Sequence, residues 1–249
     1  MAAIALSGRA QRLLALPAAK STHQAEASSS LPDRVLTAAT DALDRGETHY
    51  TDRPGILPLR EKVAERLGQR YDLTVDPKTS VLITCGDTEA RFVALQQLLA
   101  AGDTLLCLGD TALVEAAVII RGAKLIDARA EPSAKELEAV TGLYLSASAA
   151  PGSRSEYLAQ AKAQGWWLIF DVTGDADAGF HPASDPALAA HTVTVGGIGT
   201  DAGFSGWRVG FLAAPDKEAP ALRSFKQSLT ICTTNVSQWA ALALLGGAA

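Results

Sequence analysis

Thr192-Val193-Thr194-Val195-Gly196, followed after a glycine-rich stretch by Gly206-Trp207-Arg208-Val209-Gly210, is the passage whose reading decides the fold. The first five residues are β-branched up to the glycine, as a buried strand requires. The segment 197–206 carries glycines at 197, 199 and 203 before Gly206, so it is long and pliable enough to reverse the chain. The apolar run 208–213 is therefore expected to return antiparallel beside 192–196.

Working outward, short β-rich runs recur at 80–85, 104–108, 124–128, 143–147 and 166–170, separated by helix-compatible stretches at 88–100, 111–121, 153–164 and 216–229. Upstream, Ile56, Leu59, Val63 and Leu67 repeat at helical spacing within 55–70. Seven strands interleaved with helices predict an α/β fold: a three-layer αβα sandwich around a seven-stranded, mostly parallel sheet. Residues 32–249 form this domain. Residues 1–31, with a small polar segment lacking periodicity at 18–31, are expected to be a flexible N-terminal arm.

The 249 residues, 48% apolar and 20% charged, suffice for a substantial core. A net charge of −5 without any basic block argues against nucleic acid or an anionic membrane as partner. Cys85, Cys107 and Cys232 are odd in number and widely spaced, which suggests neither a disulfide framework nor a zinc site. No apolar run is long enough to span a membrane, and Arg9, Arg12 and Pro17 interrupt any signal-peptide core. A cytoplasmic protein is expected.

Ligands of such sheets lie beyond the carboxyl ends of the strands. After 80–85 stands Gly86-Asp87-Thr88-Glu89-Ala90, a strand-to-helix turn whose free N–H groups and positive dipole end suit a phosphate, or which is simply a capped helix start. Asp171 follows 166–170. Arg208 offers a planar fork for phosphate or carboxylate, or pairs internally with Asp87 or Asp171.

Together, Gly206-Trp207-Arg208-Val209-Gly210, Gly86-Asp87-Thr88-Glu89-Ala90 and the segment from Tyr50-Thr51 through Gly55-Ile56 to Leu59-Arg60 resemble the fold-type I aminotransferases, enzymes that use pyridoxal 5'-phosphate (PLP). The resemblance covers roughly residues 35–240. It implies that Gly86, Asp87, Thr88 and Arg208 hold the PLP phosphate, that Asp171 pairs with the ring nitrogen, and that Tyr50 reaches the phosphate of the neighbouring subunit in a homodimer.

The departures are concentrated at the chemistry. The position of the Schiff-base lysine is Thr200, the two phosphate-binding serines are Gly197 and Gly199, and the Asn of the ring-oxygen contact is Ala150. The Tyr that bonds the same oxygen is Gly174, and 109–112 offers no ring to stack on the cofactor. Asp87 brings a carboxylate to the phosphate loop, worth about 4 kcal/mol of repulsion per charge pair at 4 Å and an effective dielectric of 20; its side chain is expected either to turn away or to cap the helix. The segment before residue 32 lacks the family's Gly-x-Pro, and with an end at Ala249 the small C-terminal domain is expected to be absent. None of the eight lysines falls at the carboxyl end of a predicted strand, and His23, His49, His181 and His191 are scattered.

The expectation is thus an aminotransferase-like protein without catalysis, with PLP absent or held weakly and non-covalently. The alternatives are a non-covalent binder of PLP or another phosphorylated small molecule, and an active aminotransferase completed by a partner chain.

Overall fold

The computed structural model describes residues 7–17, 31–174, 179–200 and 203–246. Among these, the elements run α1 (Gly8–Leu14), α2 (Asp33–Asp44), α3 (Leu57–Tyr71), β1 (Val81–Thr84), α4 (Gly86–Leu98), β2 (Thr104–Leu108), α5 (Glu115–Arg121) and β3 (Lys124–Asp127). They continue with α6 (Ala134–Leu137), β4 (Gly142–Ser146), α7 (Pro151–Gln164), β5 (Trp167–Asp171), α8 (Pro186–Ala189), β6 (Thr192–Gly197), β7 (Gly210–Ala213), α9 (Ala219–Thr230) and α10 (Asn235–Leu244). One sheet collects all seven strands in the order β1-β7-β6-β5-β4-β2-β3.

The expected reversal is present. β7 runs antiparallel to β6, with Thr194 opposite Ala213 and Gly197 opposite Gly210, and antiparallel to β1 on its other side. Every other pairing is parallel.

The strands are apolar on both faces because helices cover both. In β2, Leu105 and Cys107 join one core with α4, α5 and α9, while Leu106 and Leu108 join another with α7. A third cluster packs α2, α3 and α10 over β1 and β7 through Leu59, Val63, Ile83, Phe211 and Ala241. Each fully buried Leu or Phe contributes about 1.5–3 kcal/mol.

Several boundaries differ from the sequence reading. The stretch 208–213 begins with Arg208 in the left-handed region at φ 55°, so β7 starts only at Gly210. Asp171 is the last residue of β5 rather than a residue beyond it. Within the expected N-terminal arm, residues 8–14 form a helix capped by Ser7, whose side chain accepts from the Ala10 N–H; the segment 18–30 lies outside the described residues. The expected helix 111–121 splits into a 3-10 turn at 111–113 and α5, because the Asp110 side chain accepts from the Ala112 N–H and starts a separate turn.

Candidate functional site

The carboxyl ends of β1, β5 and β6 converge on the first turns of α4. Gly86 opens that helix at φ 80°, a conformation that suits glycine, and a side chain there would strike the Arg208 guanidinium. Gly210 on β7 lets the strand backbone approach the helix start: a Cβ at this position would lie 2.5 Å from the Gly86 carbonyl carbon. Two glycines thus let backbone meet backbone where the helix begins.

Cys85, the residue before the helix, provides no side-chain cap. Glu89 takes that role instead. Its Oε2 accepts from the Cys85 N–H at 2.5 Å, and its Oε1 accepts from the Thr230 hydroxyl at 2.7 Å, tying α4 to the end of α9. Arg208 hangs over the same turn, donating from Nη2 to the Cys85 carbonyl at 3.2 Å and the Thr88 hydroxyl at 3.4 Å, with its side chain half exposed. Gly86, Thr88 and Arg208 are therefore brought together at the start of α4.

Asp87 and Asp171 do otherwise. Arg208, for which a pair with Asp87 or Asp171 was one of two expectations, forms a long ion pair with Asp87 at 3.9 Å and makes no bond to Asp171 among the described residues. The partner of both is Arg91, one turn along α4: Nη2 donates to Asp87 Oδ2 at 2.6 Å and Nε to Asp171 Oδ2 at 2.5 Å. Neither disposition expected for Asp87, capping or simple withdrawal, describes this ion pair, which forms because residues four apart share a helix face. Arg91 was not singled out in the sequence. The Asp87-to-Arg91 spacing was the available signal for half of the contact, and nothing local pointed to the other half.

Asp171 is 2% exposed, and its carboxylate is fully engaged. Oδ1 accepts from the Thr173 N–H at 2.8 Å, and Oδ2 accepts from the Tyr144 hydroxyl at 2.5 Å as well as from Arg91. Burial by itself would lower the Arg91 pKa, but the negative charges of Asp171 and Asp87, together with Tyr144 and the Asp171 hydrogen bond, reverse this and raise it. Burial, then Asp171, pushes the Tyr144 phenol up, so it remains a protonated donor.

Thr200 stands beyond β6, beside a cavity of about 490 Å³ between the end of this strand and α3, lined by Val63, Leu67, Val172, Ile198 and Phe211 among others. Among the described residues, neither the α4 turn nor Asp171 lines it. The two glycines before Thr200 are tightly enclosed. A Cβ on Gly197 would sit 2.7 Å from the Thr200 methyl, and one on Gly199, at φ 68°, would sit 2.8 Å from Phe204 Cβ. A serine at 199 would require the backbone to be rebuilt.

Tyr50 is 75% exposed, and among the described residues no hydrogen bond joins it to the α4 turn of its own chain. His181 is buried against Tyr71 and Phe170 and bonded through Nε2 to the Thr194 hydroxyl, a core role.

One lysine is placed unexpectedly. Lys226 on α9 is 1% exposed, and its Nζ has no hydrogen-bond partner among the described residues. It lies near Glu89, Cys85 and Cys232, and burial lowers its pKa despite the attraction of Glu89. Lys226 lies on a helix and not at the carboxyl end of a strand, so its place along the chain does not mark it as a neighbour of the α4 turn.

With this geometry in view, similarity to known proteins is informative. The model of the family described as aminotransferase class I and II matches residues 21–109 and 154–249. An aspartate aminotransferase of Thermotoga maritima is 29% identical over 237 residues, covering 86% of this chain and 63% of its own length. A probable aspartate aminotransferase of Methanocaldococcus jannaschii is 40% identical over 75 residues, 30% of this chain and 20% of its own. Among solved structures, the aromatic aminotransferase of Pyrococcus horikoshii superposes with a TM-score of 0.76 at 25% identity, over 88% of this chain and 65% of its own. That of the Rhizobium meliloti aspartate aminotransferase gives 0.75 at 23% identity, over 97% of this chain and 68% of its own. The chain thus spans somewhat under two thirds of the length of the first curated relatives it matches, and by sequence and by fold it belongs to the class I and II aminotransferase family.

Proposed function

We propose that this chain is an aminotransferase-family protein that no longer transaminates. The observation that carries the reading is Thr200. At the position where the resemblance implies a lysine, a hydroxyl cannot condense with an aldehyde to an imine, and no amine is supplied to move a proton.

The surrounding residues do not fit PLP as the family holds it. Asp87 and Arg91 place an ion pair beside the turn meant for the phosphate, Gly197 and Gly199 offer no hydroxyl, and Asp171 is closed by its own donors. Losing several charge-assisted bonds at about 1.5–3 kcal/mol each leaves weak non-covalent binding at best. Gly86, Thr88 and Arg208 support a narrower second reading, in which the cradle holds the phosphate of a small molecule without covalent attachment.

Assembly is part of the proposal. Asn235 donates to the Glu47 carboxylate at 2.8 Å and to the His49 carbonyl at 3.4 Å, so the strap carrying exposed Tyr50 lies beside the start of α10, and Leu229 and Ile231 just ahead are each 46% exposed. These residues support a homodimer.

Borohydride reduction in the presence of PLP, followed by peptide mass spectrometry, tests the main reading: no pocket residue should carry a phosphopyridoxyl group. Stoichiometric labelling, or amino transfer to a keto acid above the rate with free PLP, would overturn it, and activity appearing only with a second polypeptide would favour a partner-completed enzyme.

A further inference from the structure

We propose that Arg91 is a built-in cation occupying the seat opposite Asp171, and that the site it fills is selective for a small planar cation bearing N–H donors. The inference rests on the reading above only in treating this seat as no longer a cofactor site; a transaminating protein would refute that reading, whereas the outcomes below bear on Arg91 alone.

The geometry is that of a filled binding site. Arg91 is 3% exposed, yet it lies among two carboxylates and a phenol rather than in an apolar layer. Its Nε edge meets Asp171 and its Nη2 meets Asp87, so one delocalised, planar ion bridges helix α4 to the end of β5. Tyr144 on β4 closes the remaining side of Asp171 Oδ2, and Thr173 holds Oδ1. Arg208 reaches Asp87 alone, at 3.9 Å, so among the described residues Arg91 is the one cation bonded to both carboxylates, and it is tethered to the chain. An Asp this deeply buried is strongly destabilising without its cation, because the desolvated charge stays behind. The chain supplies that cation itself and needs none from solution.

Removing the side chain should leave a vacancy of matching shape and charge. Arg91→Ala is expected to lower the Tm by about 10 °C. Millimolar guanidinium, far below the molar range that denatures, should restore several degrees relative to the same concentration of sodium, while leaving the parent unchanged. The recovery should vanish in Arg91→Ala/Asp171→Asn, which lacks the anion. An Arg91→Ala protein as stable as the parent, or a guanidinium response equal in all three proteins, would overturn the proposal. Should Arg91→Ala not fold, Arg91→Leu/Asp171→Asn decides the matter: folding of this neutral pair supports the proposal, and its failure to fold overturns it.

Discussion

Replacing Lys226 by methionine should make the protein more stable, by an amount that shrinks as pH rises. The Nζ is buried without a hydrogen-bond partner among the described residues, and an unsatisfied buried polar group costs about 1–3 kcal/mol. Methionine matches the length and flexibility of the lysine stem, so neither a cavity nor overpacking is introduced. The opposing effect is loss of attraction to Glu89, whose carboxylate keeps its bonds from the Cys85 N–H and the Thr230 hydroxyl. The lowered pKa of Lys226 decides between them: burial outweighs Glu89. A net gain of about 1–2 kcal/mol follows, which for a chain of this size is roughly 2–8 °C in Tm. The pH dependence has a definite sign. Below the depressed folded-state pKa, both folded and unfolded lysine are charged and the penalty is complete. Between that value and the ordinary 10.5, the unfolded chain binds the proton and the folded chain does not, so parent stability rises with pH while the variant's thioether, which does not titrate, contributes no such change. Urea denaturation of both proteins at neutral pH and again near the ordinary lysine value measures the gap, with unchanged m-values confirming two-state comparison. A Lys226→Met variant less stable than the parent at neutral pH, or a gap that widens toward high pH, would refute the reasoning.

Gly210→Ala should lower stability by about 1–3 kcal/mol or more, because its Cβ would meet the Gly86 and Asp87 backbone rather than a yielding side chain; a variant within a few tenths of the parent in chemical denaturation would show that the α4 turn can move. Light scattering at micromolar concentration should give twice the 25.9 kDa chain mass, and Tyr50→Asp should shift it toward the monomer; a monomeric parent would end the dimer proposal.

Much of the architecture was legible in order along the chain. Alternating helical and strand periods marked out seven strands, the glycines at 197–206 permitted the reversal, and apolar residues on both strand faces required helices on both sides. These are local signals, and a residue's own neighbours carry them. Partner choice is different in kind. Arg91 and Asp171 are 80 residues apart, Tyr144 and Asp171 27, and Glu89 and Thr230 141; the first pair meets because α4 rests across the sheet at the end of β5, the second because β4 lies beside β5, and the third because α9 packs beside α4. The sequence showed that these groups were polar and near strand ends or helix starts. Which charge was buried against which depended on the strand order and on the rotation of α4 about its axis, because only the assembled tertiary structure withdraws Asp171 from water and so makes a cation beside it necessary.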